Sequence, residues 1–287
     1  MTAPSTTSTA TTDGVRLLGP GDQHLLSPFF RDDPVTHCLV AARVAEAGLS
    51  MEALGGYVLG YQEGDRLRSA LLVSANLVPI AVDAATAAEF AQHLSGRRRR
   101  ASCIVGPQEE VSLLWEGLAP VWGPARDMRP EQPVLVAKAP SDVAPDPKVR
   151  PVRPEELEEV LPSFISMFTE EVGVSPIANG AEAAYRRRVA EIIESGASFA
   201  RFEDGRLIFK AELGAVTPEC CQIQGVWIHP DYRGRGMAGP AMASVIELAR
   251  EHSEIVSLYV NSYNEPALRA YRSSGFREIS SFASILF

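Results

Sequence analysis

Gly234 and Gly236 stand in the run Arg233-Gly234-Arg235-Gly236-Met237-Ala238-Gly239, and what they can do depends on what flanks them. Upstream, Gln222 to Ile228 alternates as a strand through Ile223, Gly225/Val226 and Ile228, and His229-Pro230-Asp231 stops it. Downstream, Ala241, Val245, Leu248 and Ala249 recur at helical spacing. A strand, a glycine turn and a helix start together leave backbone N–H groups pointing outward at a helix N-terminus, and the helix dipole adds to their pull on an anion. The chemistry is anion binding, above all of phosphate. Glycine lets the backbone approach such a ligand closely, and Pro240 in the first turn removes an N–H that has no helical partner.

Other reactive side chains read more plainly. Cys38, Cys103, Cys220 and Cys221 have neither metal-ligand spacing nor the density of a disulfide scaffold. The neighbours Cys220 and Cys221 point to opposite faces of a strand and read as small strand residues. His229, in a His-Pro turn, is expected to face solvent. The arginine run Arg97 to Arg100 reads as a solvated loop, and Trp115 and Trp122, with Leu113, Leu114 and Leu118, as core.

The elements around this stretch fall into two similar series. The first half reads as a strand at Val15 to Leu18, helices at Leu25/Leu26 and Pro34 to Ala47, and a hairpin over Ala53 to Ala75 turning at Glu63-Gly64-Asp65. A strand at Leu77 to Ala81, a helix at Ala84 to Leu94, a strand at Ala101 to Val105 and a helix from Gln108 to Leu118 follow. The second half restarts the same way: Val149-Arg150, Pro154 and Glu156 repeat the order of Val15-Arg16, Pro20 and Asp22 ahead of a leucine-rich helix. Two helices, a hairpin turning at Glu203-Asp204-Gly205, then strand, helix, strand and helix complete it. The pattern is an internal duplication of one α/β unit. Only the second copy has the glycine turn; the first runs Val78 to Asp83 straight into its helix.

The expected organisation is a disordered tail over 1–13, a domain over 14–136, a proline-containing linker over 137–148 and a second domain over 149–287. A chain of 287 residues with 46% hydrophobic and 22% charged residues is ordinary for a globular protein. Its net charge of -9 argues against nucleic-acid binding, which depends on clustered positive charge. No apolar run approaches the ~18 residues of a membrane span, and the N-terminus lacks the features of a secretory signal. Sparse cysteine fits a reducing cytoplasm.

The order of residues in the glycine turn is also specific. Arg233-Gly234-Arg235-Gly236-Met237-Ala238 matches the (Gln/Arg)-x-x-Gly-x-(Gly/Ala) signature of the GNAT superfamily of N-acetyltransferases, after a strand ending Val226-Trp227-Ile228-His229-Pro230. Downstream, LYVNSYNEPALRAYRSSGF, Leu258 to Phe276, resembles that superfamily's second motif. The resemblance covers roughly residues 149 to 287 and makes the first half a degenerate GNAT-like domain. It implies a tandem α/β fold, each domain a mixed, mostly antiparallel sheet with a splayed parallel pair flanked by helices.

It also implies acetyl-CoA as cosubstrate, an amine acceptor, no metal, and room for a homodimer. By the same resemblance, Arg233, Gly234, Arg235, Gly236, Met237, Ala238 and Gly239 cradle the pyrophosphate. Val226, Trp227 and Ile228 meet the pantetheine arm through the main chain, and Asn261 and Asn264 contact it. Tyr271 takes the position of the general acid. Members with a strand-borne base carry Glu near the place of Gln222 here, and an amide cannot accept the proton; Glu170 and Glu171 are the acceptor-side candidates. The acceptor pocket is expected from Ser166 to Arg188 and a C-terminal hairpin at Ile279 to Phe287. A mycothiol-synthase-like acetyltransferase, and a CoA-binding sensor whose catalysis has lapsed, are the alternative readings. The acceptor class stays open among a protein lysine, a protein N-terminus and a small amine.

Overall fold

In the computed structural model, which describes residues 13–287, the chain opens on strand β1 (Gly14–Leu18) and three helices, α1 (Gln23–Asp32), α2 (Cys38–Ala47) and α3 (Met51–Leu54). The tail expected over 1–13 lies outside the described residues except for Asp13. Strands β2 (Tyr57–Glu63), β3 (Arg66–Val73) and β4 (Asn76–Ile80) follow as an antiparallel meander, with β1 paired to β2. Helix α4 (Ala84–Ser95) leads to β5 (Cys103–Pro107), parallel to β4, and then to α5 (Gln108–Trp122) and β6 (Asp127–Ala137). Phe90, Leu94, Val111, Leu114 and Leu118 of the two long helices pack on Leu71, Leu77 and Ile104 of the sheet. Burying each such side chain contributes ~1.5–3 kcal/mol.

The second series repeats this with a different loop. It comprises β7 (Arg150–Pro151), α6 (Leu157–Val172), α7 (Glu182–Glu194), β8 (Ser198–Glu203), β9 (Arg206–Val216), β10 (Cys220–Ile228), α8 (Ala238–Ala249), β11 (Ile255–Tyr259), α9 (Glu265–Ser273) and β12 (Arg277–Leu286). Strands β7 to β10 are antiparallel neighbours in order, and β10 and β11 are parallel. One face of this sheet is covered by Ala241, Val245, Ile246, Leu268 and Tyr271 from α8 and α9, the other by Val160, Leu161, Phe164, Val189 and Ile193 from α6 and α7.

Contacts divide the chain into two units, Met1–Glu131 with Phe282–Phe287, and Gln132–Ser281. The boundaries cut through two strands. In the first unit Phe282 to Leu286 pair with Phe282↔Pro107 to Leu286↔Cys103; in the second, Val134 to Ala137 pair with β11. The break therefore falls five residues ahead of the stretch 137–148, and Asp146 within that stretch is bound in the second unit by Arg201 (2.6 Å) and by the Ser244 hydroxyl on its carbonyl (2.8 Å).

Three local expectations need correction. The second helix starts at Cys38, after a turn over 34–37 that Pro34 opens. The first hairpin starts at Tyr57, because Met51–Leu54 is a helical turn closed by Gly55 at φ +63°. The C-terminal hairpin is one strand, Arg277–Leu286, of which Phe282 onward belongs to the first unit. Strand β6 was not anticipated: its pairing is with β11, far along the chain, and no local pattern announces it.

Candidate active site

Strands β10 and β11 pair only at Cys220↔Ile255, Cys221↔Val256 and Gln222↔Ser257. Both strands continue, so among the described residues the β11-facing edge of β10 has no ladder partner from Ile223 onward, and the pair opens like a fork. On its other side β10 carries a bulge: Gln224 faces Glu212 and Trp227 faces Lys210, so three steps on β10 match two on β9. Gly225 makes the bulge at φ +61°. The bulge shifts side-chain parity, so that Ile223, Val226 and Ile228 all face the α8/α9 core while Trp227 enters the α6/α7 core.

Beyond Ile228 the signature loop is held from below and open above. The Arg233 guanidinium donates to the Ile228 carbonyl (2.9 Å) and to Glu170 Oε2 (2.7 Å), while Trp227 Nε1 donates to Glu170 Oε1 (3.2 Å). Glu170 thus ties α6 to the root of the loop with both oxygens. Gly234 (φ +73°) and Gly236 (φ +76°) are exposed, and a Cβ at either would meet nothing within 4 Å. Helix α8 has no side-chain cap, and its first backbone bond runs from Ala241 N–H to Met237 O (3.0 Å). The first amides of a helix have no partner within it, so those at the start of α8 are available to an anion. Arg235 stacks over Tyr232, 5.1 Å from ring centre.

The first unit closes the same position with its own atoms. Strands β4 and β5 pair only at Asn76↔Cys103 and Leu77↔Ile104, but the Pro79 ring fills the opening, 3.1 Å from where a Cβ of Gly106 would sit. Val82 N–H donates to Glu110 (2.9 Å) and Thr86 N–H to Asp83 (2.9 Å), so chain carboxylates hold an amide just ahead of α4 and one in its first turn. Burial raises the Glu110 carboxyl to about 7, against the pull of the Val82 N–H.

Tyr271 lies in the α8/α9 core, 7% exposed, its ring edge-on to Phe276. Burial, with the Glu171 charge adding to it, holds its phenol well above the ordinary tyrosine range. Asn264 caps α9 by accepting from Ala267 N–H (3.3 Å), and Asn261 accepts from Gln132 (2.9 Å). His229 does not face solvent as expected: its ring packs edge-on against Trp227 and Tyr232, and its Nδ1 accepts from Asp231 N–H. All four cysteines are free thiols, and burial pushes Cys103 and Cys221 up to about 11.

On the α6/α7 face lie polar residues that the sequence reading did not single out. Lys210 is fully buried, its Nζ 3.5 Å from Glu212 Oε2 and 3.6 Å from the centre of the Phe164 ring. Burial lowers the Lys210 pKa, and Glu212 opposes that shift. Tyr185 donates to the Phe164 carbonyl (3.1 Å), and burial with the Glu212 charge raises its phenol to about 12. The signal was in the sequence: lysine and glutamate two residues apart inside RLIFKAELGAV, an otherwise apolar strand.

Comparison with known proteins bears on both halves. The acetyltransferase (GNAT) family model matches residues 161–276, and a domain of unknown function, DUF4081, matches residues 56–160. A mycothiol acetyltransferase of Corynebacterium aurimucosum is 36% identical over 61 residues, 21% of this chain and 20% of that protein, so the chain spans about a fifth of the length of this curated relative. A GCN5-related N-acetyltransferase from Sphaerobacter thermophilus superposes with TM-score 0.58 at 16% identity, covering 95% of both chains. A tandem GNAT protein from the clavulanic acid biosynthesis pathway does so at 0.52 and 12%, covering 95% of this chain and 98% of its own. At these identities the likeness is one of fold, and it is a tandem GNAT fold.

Proposed function

We propose that the second unit, which the acetyltransferase (GNAT) family model matches over residues 161–276, transfers an acetyl group from acetyl-CoA to an amine by direct attack. The observation that carries this reading is the open fork between β10 and β11 with an uncapped glycine turn at its end. An unpaired strand edge takes an extended ligand through main-chain bonds, and the amides of Arg233 to Gly239 take its pyrophosphate. Val226, Trp227 and Ile228 offer that edge, with Asn261 and Asn264 across the fork. A backbone N–H near Val226 polarises the thioester carbonyl in the manner of an oxyanion hole.

Tyr271 supplies the proton to the departing sulfur, and its buried phenol keeps that proton throughout the neutral range. Glu170 and Glu171 are the α6 carboxylates on the acceptor side. Release of CoA thiol from acetyl-CoA, followed against a panel of amines, tests the proposal: amine-dependent release supports it, and saturable acetyl-CoA binding without transfer to any amine reduces the protein to a CoA sensor. The local identity with a mycothiol acetyltransferase favours a second reading, in which the acceptor amine belongs to a desacetyl thiol conjugate; adding that compound to the panel separates the two.

A further inference from the structure

The base missing from β10 has a replacement on the neighbouring strand. Gln222 and Gln224 lie on the α6/α7 face of β10, and Glu212 stands directly across from Gln224, where the bulge begins. The Glu212 carboxylate crowds the bulge itself: a Cβ on Gly225 would lie 2.6 Å from its Oε1 and 3.0 Å from Lys210 Nζ. Both head groups therefore sit against the backbone just before Val226, where β10 has already parted from β11.

Glu170 and Glu212, both on this face, are held differently. Glu170 is engaged at 3.2 and 2.7 Å by Trp227 and Arg233. Glu212 has only long contacts, 3.5 Å to Lys210 and 3.4 Å to Gln224, at the outer edge of hydrogen bonding. Its lone pairs are therefore largely uncommitted. The charged and titratable groups that face it are Lys210 on its own strand and Tyr185 from α7; Lys210 in turn faces Glu171 of α6, and Tyr185 faces Arg188. A fully buried ammonium is costly unless it faces an anion, which makes Lys210 the counter-charge that keeps a carboxylate at this position.

We infer that Glu212 is the proton acceptor for the attacking amine and that Lys210 is its positioning residue; this rests on the transfer reading above. The acceptor ammonium gives one proton to Glu212 and becomes the neutral amine. Its lone pair forms the C–N bond to the thioester carbonyl carbon as the C–S bond breaks, and the sulfur leaves with the bonding pair and takes the Tyr271 proton. The second proton that the nitrogen sheds on becoming an amide restores Tyr271, and Glu212 returns its proton to water.

The test uses the full chain, acetyl-CoA and a panel of tyramine, spermidine, glucosamine and a lysine peptide, read by thiol release. Glu212→Gln should lower kcat by ~10²–10³ with acetyl-CoA affinity within about twofold. In Glu212→Ala, added formate should restore part of the rate, which a purely structural role would not allow. Lys210→Met should move the rising limb of the pH–rate profile to higher pH, because the ammonium favouring the carboxylate is gone. Should Glu212→Gln misfold around an unpaired lysine, the double variant Lys210→Met/Glu212→Gln removes that charge; it should bind acetyl-CoA and still lack turnover. An active wild type whose Glu212 variants keep the rate, or whose rate collapses in Glu171→Gln alone, overturns this inference and leaves the function standing. A wild type that transfers to no amine overturns both.

Discussion

At the scale of single residues, the site depends on positions where a side chain is forbidden as much as on those where one reacts. Gly225 combines φ +61° with contact to Glu212 and Lys210, so Gly225→Ala should cost about 1–3 kcal/mol of stability and lower turnover together, seen as a drop in melting temperature and in kcat. Gly234 and Gly236 also have positive φ but open surroundings, so alanine there should weaken acetyl-CoA binding more than it destabilises the fold. Tyr271→Phe keeps the ring against Phe276 and removes the proton. Its turnover should fall ~10²-fold or more with acetyl-CoA affinity unchanged, and wild-type rates in this variant at every pH would end its role as acid. The glycine turn and Tyr271 were legible because they sit in ordered motifs. Glu212 was not, because its partner Gln224 lies across a hairpin whose register, set by a bulge, no sequence pattern prints.

At the scale of elements, the duplication is visible in matched chemistry. Arg16 grips Asp22 at 2.7 and 2.9 Å, and Arg150 grips Glu156 at 2.8 and 2.6 Å; each acid also accepts a backbone N–H three residues before it, from Gly19 and Arg153. These arginines hold both carboxyls down to about 2. The recurrence of Arg, Pro and an acid that the sequence displayed is thus one structural device used twice. The helix that follows the parted strands differs between copies, because α4 is capped by chain carboxylates and α8 is left open. The half-buried Glu110 carries a testable consequence. Its carboxyl lies near 7 in the fold against 4.5 unfolded, so the stability it contributes is complete below about pH 4.5 and lost as pH rises through 7. Glu110→Gln keeps an acceptor for the Val82 N–H and cannot ionise. It should therefore raise stability by about 1–3 kcal/mol at pH 8 and change little at pH 4.5, as read from unfolding curves.

At the scale of the whole molecule, each compact unit holds a strand segment from across the stretch 137–148: Phe282 to Phe287 in the first, Gln132 to Ala137 in the second. Phe282, Ile285 and Leu286 are buried in the first unit, and Phe287 packs against Trp115, Trp122 and the Arg99 guanidinium there. Deleting Phe282 to Phe287 should therefore unfold β5 and cost the first unit roughly 5 kcal/mol, at ~1.5–3 kcal/mol per large side chain. Hydrogen exchange at Ile104 and Val105 reads this directly, and undiminished protection there would refute it. Composition and motif order sufficed for the tandem α/β plan, whereas the strand exchange is a long-range pairing that sequence order conceals. The central claim is one acetyl-CoA site, in the second unit. Hydrogen exchange with and without acetyl-CoA tests it most directly: the account predicts new protection across Val226 to Gly239 and none across Val78 to Thr86. No change at Val226 to Gly239, or protection at Val78 to Thr86, would contradict it.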